Sequence, residues 1–484
     1  MTDAPSPEGY TINRDMKGQR YSISRSDRFR KNSKKTPDFE VDQIFESDLY
    51  PYYRDGLTLL ELCCYHGAVS CFKYLYQELK SQITNVCLEL SFLGRNPDIM
   101  SECLKLKKPN QRCLTFAIIS HNIDFVTFLL NENIYLRVDL FELAFYHNIP
   151  AFFAYLDMTQ NFNHCFVYSS LFFMPDLVEY LISLGADINA KNSDGETTLH
   201  NSCNYVSKQM FDILISNHAD ITVTNKNGDS VFHRAAWNNR VDIMKYLVSQ
   251  GINVNIRNKI GNTTLHKCAE ASLKSVDAAK FLLSIGAEID TKNKEDKTPF
   301  HFVSLLNHKE FAEFLLLNGA EIEARDKDGN SALHLAVYRN SIETVEYLIS
   351  AGANINLKNR KGEFPIHIAA QSKLLQMTEL LVTKGANIKQ LDKQGLSVLH
   401  IAANKGSIEL CKYFISLGFD INAKDLNGKT PIHYATHSYA AENLMEYLLS
   451  EGADVNSPDN DNQTPLHYSA QMNSSGVAQL LLQY

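Results

Sequence analysis

Polar and apolar positions alternate in blocks through the C-terminal two-thirds of the chain, and residues 320–352, AEIEARDKDGNSALHLAVYRNSIETVEYLISAG, show one complete block. Asp328-Gly329 marks a tight turn, because Gly tolerates a positive φ. Ser331 then stands where a helix N-cap is needed, its hydroxyl placed to accept a first-turn N–H. A short apolar stretch with small residues follows, including Leu333 and Ala336. Ile342, Val345, Leu348 and Ile349 recur at helical spacing and predict a second helix. Gly352 ends it as a left-handed cap. One block therefore predicts a turn and two short helices.

The block repeats. Its histidine, His334, has close copies at His200, His233, His266, His301, His367, His400, His433 and His467, with successive spacings of 33, 33, 35, 33, 33, 33, 33 and 34 residues. Thr or Ser occupies the N-cap place in eight of the nine copies, Phe364 being the exception. Pro299, Pro365, Pro431 and Pro465 take the first helical position, where a missing N–H costs nothing. A catalytic histidine needs a unique neighbourhood that tunes and aims it. Nine rings at one period instead mark one structural unit stacked many times. The nine histidines are expected to be neutral, buried and hydrogen-bonded within their own repeat or to the next.

Segments such as GETTLH, GKTPIHYA, YLISAGANIN and YLLSEGADVN, within residues 185–484, resemble the ankyrin repeat. That resemblance implies an all-α solenoid in which each unit is a β-turn finger followed by two antiparallel helices. It also implies that the histidine ties finger to helix, and that a concave face of finger tips and first helices binds protein partners. The sequence departs from the pattern at His218, which replaces a cap Gly, and at Asp296 and Asn462, which replace finger glycines. The 266–301 repeat has two extra residues near Lys274-Ser275. Local distortion of those fingers is expected.

Residues 41–184 keep the helical pattern and lose the finger. GLTLLELCCYHGAVSCFKYL at 56–75 resembles an ankyrin unit with Glu61 at the histidine place. Marks aligned on the inter-helix turn, at Gly67, Asn96, Asn122, Asn148 and Met174, are spaced by 29, 26, 26 and 26 residues. Twenty-six residues hold two helices and two turns, with nothing left for a finger. Degenerate helix pairs are therefore expected over 56–184, with a separate all-helical domain as the alternative. The region resembles the helical segment that precedes ankyrin arrays in large protein families of unicellular eukaryotes.

Composition adds limits. The chain is 44% apolar and 21% charged, normal for a folded protein. Its net charge of −8 divides into +3 over residues 1–40 (nine Lys/Arg, six Asp/Glu) and −11 over the rest (38 and 49). The acidic body argues against strong nonspecific nucleic-acid binding. Residues 1–40 read as a disordered basic tail; a phosphorylation target at Ser22, Ser24 or Ser26, a nuclear address or an acidic-partner contact are the sharper readings. No secretory leader and no transmembrane segment are read. The ten cysteines lack metal or disulfide spacing, and Cys63, Cys64, Cys71, Cys203, Cys268 and Cys411 read as small buried residues of a reducing compartment. The cytoplasm is the default location, with the nucleus left open.

No catalytic motif emerges, and no catalytic, cofactor-binding or metal residue is assigned. His301 and His308 have metal-like separation, yet one belongs to the repeat and the other to an inter-helix turn. The variable places of the motif, around the finger Gly and four and five residues after the His, give the candidate partner-binding residues: Tyr205, Trp237, Asn238, Lys327, Asp328, Asn330, Tyr338, Arg339, Arg360 and Lys361. Trp237, the only tryptophan, centres the first-choice hot spot at 192–280, as an exposed anchor or as packing against a neighbouring finger. Basic residues at Lys191, Arg257, Lys292, Arg325, Lys358 and Lys424 read as a charged stripe or as an ordinary feature of such repeats. The expected function is a monomeric, non-catalytic scaffold or adaptor binding unidentified protein partners. Alternatives are a regulatory subunit holding an enzyme and a membrane-skeleton linker using the basic tail.

Overall fold

The computed structural model describes residues 42–45, 56–132, 135–204, 208–271, 276–437 and 441–484. The expectations placed on residues 1–40, on Tyr205 and on Lys274-Ser275 lie outside the described residues. Contacts divide the chain into two compact units, Met1–Asn192 and Ser193–Tyr484. Both are built of helix pairs, so the fold class is all-α, a solenoid. No helix among the described residues is long and apolar enough to cross a membrane.

The first unit opens on a feature the helical pattern does not announce. Ile44–Phe45 pairs antiparallel with Leu57–Thr58, Ile44 opposite Thr58 and Phe45 opposite Leu57. Helix pairs follow without fingers: Leu59–Tyr65 with Val69–Lys73, Asn85–Leu93 with Pro97–Leu104, Gln111–Ile119 with Ile123–Glu132, and Leu140–Phe145 with Ile149–Thr159. Phe162–Ser169 and Pro175–Ser183 complete the series. Asn96, Asn122 and Asn148 each accept a first-turn N–H of the second helix. They sit one residue after a left-handed turn residue: Arg95, His121 and His147. Gly67 is itself such a turn residue, and its cap is Ala68. Counted from Ala68, the first spacing is 28 rather than 29.

Glu61 does the work of a histidine here. Its carboxylate accepts the Thr58 N–H at 2.9 Å within its own helix and the Thr84 hydroxyl at 2.7 Å, Thr84 being the N-cap of the next first helix. Further along, Glu89 accepts Asn110 Nδ2 at 2.7 Å, again at a following N-cap, and Glu142 accepts the Thr115 hydroxyl at 3.1 Å. Glu61 and Glu89 are buried, so each bond ties two helices inside a low-dielectric layer.

In the second unit Ala332–Tyr338 and Ile342–Ser350 form the pair foreseen for residues 320–352. The same arrangement recurs through Pro465–Gln471 and Ser475–Gln483. Small residues let the first helices approach: Ala235, Ala236, Ala269, Ala336, Ala369, Ala402 and Ala403 are fully buried. Cys203 and Cys268 are buried in the same layer and Cys411 on a second helix, and all ten cysteines are free, buried thiols. His218 replaces a glycine at a left-handed position (φ 66°), and the helix still closes through Ala219 N–H to the Leu214 carbonyl at 3.0 Å.

Candidate functional site

The histidines are fixed by local chemistry at one nitrogen and by the neighbouring repeat at the other. His334 Nδ1 accepts the Ser331 N–H at 3.1 Å, and the Ser331 hydroxyl lies 2.9 Å from the same nitrogen. An Nδ1 that accepts leaves the neutral ring its proton on Nε2. That N–H donates to the Glu363 carbonyl of the next finger at 3.3 Å. The pattern repeats at His200, His233, His266, His301 and His433, whose Nε2 atoms face carbonyls of Asp229, Asn262, Lys297, Asn330 and Gln463 at 2.9–3.3 Å. His400 reaches two, Ala423 and Lys429. Burial holds His266 and His334 down at about 4, and pushes His233, His301, His367, His400 and His433 below their ordinary value.

His367 keeps only the bond within its own repeat, and His467 departs from the expectation of burial. His367 is buried and accepts the Phe364 N–H at 3.2 Å, but its Nε2 makes no well-formed hydrogen bond. The Phe364 ring, 5.4 Å away between centroids, stands where the other repeats carry a hydroxyl. His467 is exposed, not buried. Its Nδ1 keeps the Thr464 N–H at 3.2 Å.

Among the described residues, eight fingers are organised by an Asn or Asp three residues before the turn glycine or its substitute, a position the turn dipeptide alone does not reveal. Asp326 Oδ1 accepts the N–H groups of Asp328 and Asn330 at 3.0 and 2.8 Å. Asn225, Asn258, Asn293, Asn359, Asp392, Asp425 and Asp459 do the same. The signal was available as a periodic Asn/Asp in the sequence. The fingers containing Asp296 and Asn462 are not distorted. Both residues adopt left-handed φ, and Asn293 and Asp459 close their turns at 3.0 and 2.9 Å. Asp and Asn reach that region at small cost.

Adjacent fingers are laced by backbone. Lys226, Lys259, Lys294, Lys327, Arg360 and Lys393 each donate their N–H to a carbonyl of the preceding finger, at 2.8–3.3 Å. The suspected basic stripe is partly absorbed by the same stacking. Arg257 donates to the Lys292 carbonyl at 2.7 Å, Arg325 to Lys358 at 3.0 Å and Lys424 to Pro458 at 2.8 Å.

The candidate residues therefore separate. Asn238 donates to Asn204 at 3.1 Å and Asn330 accepts from Asn359 at 3.0 Å, so both serve inter-repeat bonding. Trp237 is half-buried, with Lys267 Nζ 5.5 Å from its ring centroid. Lys267 is also paired with Asp229 and Glu270, and Glu196 pairs with Arg234. The expected hot spot at 192–280 is thus a region of internal pairing. Lys327, Asp328, Arg339, Arg360 and Lys361 are exposed, and Tyr338 is 62% exposed.

Arg360 and Lys361 share a groove of about 550 Å³ with Lys393 and Gln394 of the next finger and Gln371, Asn404 and Lys405 of the first helices. Fingers and first-helix ends of two neighbouring repeats therefore make one surface, as the repeat pattern implies. Among the described residues, no group of three or more His, Cys, Asp or Glu side chains is placed to hold a metal ion.

The comparisons with known families agree with this geometry. A model described as ankyrin repeats in three copies matches residues 166–258, 265–359, 351–425 and 399–484, and one described as ankyrin repeats in many copies matches 238–283. Residues 79–155, within the fingerless region, match a domain of unknown function (DUF3447). No curated protein matches the chain. A finger, a capped first helix and a bridging histidine recur at one period, and the match in sequence spans more than half of the chain; the protein belongs to the ankyrin-repeat family.

Proposed function

We propose that the chain is a non-catalytic scaffold or adaptor that binds a protein partner through the face formed by its fingers and first helices. Ankyrin repeats are generally protein–protein interaction modules. The observation that carries the reading is the groove at 360–405, where exposed side chains from two repeats converge on a rigid frame. Such a frame loses little entropy when a partner docks, so surplus contact energy goes into affinity. Tyr338 is the preferred anchor. It is a large, largely exposed aromatic on the first helix next to the Lys327–Asn330 finger, and aromatic residues dominate interface energetics.

The test is capture of partners by proximity labelling or pull-down, followed by affinity measurement. Tyr338→Ala is expected to weaken a captured partner by about 2 kcal/mol while changing stability by under about 0.5 kcal/mol. Trp237→Ala, which loses its packing with Lys267, is expected to lower stability as well as affinity. Unchanged affinity in both variants would refute the reading.

A further inference from the structure

Six consecutive fingers carry a cation at the same place, two residues before the turn glycine or its substitute: Lys226, Lys259, Lys294, Lys327, Arg360 and Lys393. All six are exposed. Among the described residues, the ion pairs of this unit use other side chains. Their stems are not loose. The backbone lacing described above fixes each Cα relative to the preceding finger. The Cγ atoms of Lys259, Arg360 and Lys393 lie over Gly228, Gly329 and Gly362, at 2.8–3.0 Å from where a Cβ on those glycines would stand. A missing side chain on one finger thus makes room for the next finger's cation.

The row is not uniformly basic. Glu295 and Asp328 follow at the tips of two fingers, and Glu295 is paired with Lys297 at 2.7 Å. The balance changes at the groove, where the tip residues are Lys361 and Gln394. Four cations line it, Arg360, Lys361, Lys393 and Lys405, against two carboxylates, Glu363 and Asp392. Both carboxylates are already engaged. Glu363 accepts Asn359 Nδ2 at 2.8 Å and Gln371 Nε2 at 2.6 Å. Asp392 accepts the N–H groups of Gln394 and Leu396 at 2.8 and 2.9 Å.

We propose that this surface takes an extended acidic segment of a protein partner, with one carboxylate seated in the 360–405 groove and others on the preceding finger cations. Stacked helices lie about 10 Å apart, and an extended chain advances about 3.3 Å per residue. The matching ligand therefore carries an acid at every third residue. The net charge of −8 opposes a dense polyanion such as RNA, which a short, spaced acidic peptide is not. This inference rests on the partner-binding reading and names its chemistry.

The probe is a labelled twelve-residue peptide of Glu-Ser-Gly repeats, titrated with the full chain by fluorescence anisotropy at low and physiological salt. Arg360→Glu combined with Lys393→Glu is expected to weaken binding tenfold or more. Lys245→Glu combined with Lys384→Glu removes the same charge from exposed second-helix positions and is expected to change it less than twofold. A peptide of equal composition with its four Glu contiguous is expected to bind several-fold more weakly. Circular dichroism of both double variants checks that they fold. Absence of binding to the unaltered chain at low salt would overturn the proposal. So would equal loss in the two double variants, or preference for polyuridylate or phosphatidylserine vesicles over the spaced peptide. If a captured partner depends on Tyr338 but not on Arg360 and Lys393, the acidic-segment inference fails and the partner-binding reading stands.

Discussion

A buried imidazole with one nitrogen accepting and the other donating is an uncharged clamp, and its pH response follows directly. The unfolded chain takes up a proton on each ring below about pH 6.5. The folded rings of His266 and His334 resist until about pH 4. Folded pKa values lie below unfolded ones, so the stabilisation is complete above about pH 6.5 and is lost as pH falls from there toward 4. Each such ring contributes a slope on the order of 1 kcal/mol per pH unit in that window. Urea denaturation at pH 7.5, 6 and 5 is expected to show falling midpoints, and His334→Ala is expected to flatten the dependence while costing about 2–3 kcal/mol at pH 7.5. A midpoint independent of pH between 7.5 and 5 would show that the rings are not held neutral. The periodic row of buried histidines is therefore expected to report on stability.

At the scale of one element, the finger and the fingerless pair solve the same problem differently. A finger presents carbonyls to the preceding histidine, and its glycine must admit the next finger. Gly329→Ala and Gly352→Ala both place a Cβ at positive φ, +78° and +96°, each costing about 1 kcal/mol. Only at Gly329 does the Cβ also meet the next finger, with the Arg360 N at 2.8 Å; at Gly352 nothing lies within 4 Å. Thermal melts are expected to rank Gly329→Ala clearly below Gly352→Ala, and equal shifts would contradict the close approach. Without a finger, a carboxylate reaches the next helix cap instead. Glu61→Ala strands the Thr58 N–H and the Thr84 hydroxyl and is expected to cost about 2 kcal/mol. Glu61→Gln keeps an acceptor and is expected to cost less. Hydrogen exchange of the 59–93 helices separates the two outcomes.

For the whole molecule, repeat stacking makes stability a sum of units and nearest-neighbour interfaces, and the contacts divide at Asn192 and Ser193. Trp237, the only tryptophan, reports on the second unit alone, whereas far-ultraviolet circular dichroism reports on every helix. Urea transitions followed by the two probes are expected not to coincide. Coincident curves would mean that the two units unfold as one.

The sequence by itself determined the period, the helix pairs and the structural role of the histidines. Those features are written in local chemistry: a cap hydroxyl three residues before a histidine, a glycine or asparagine where φ is positive, an apolar stripe at helical spacing. Each needs only its near neighbours, so Ser331, His334 and Gly352 could be assigned from one block. The shorter period before residue 185 was also legible, in the 26-residue spacing of the turn marks. What only the tertiary structure decided lies between repeats. The donation from His334 to Glu363, the arginines that bond the next repeat's carbonyls and the carboxylate bridge from Glu61 to Thr84 all depend on how one unit registers on the next. Asn330 and Tyr338 looked alike as variable surface positions, yet stacking engages the first and leaves the second to solvent. The groove at 360–405 has the same origin: its cations are some 30 residues apart in sequence and become neighbours only because identical folds stack at a fixed rise.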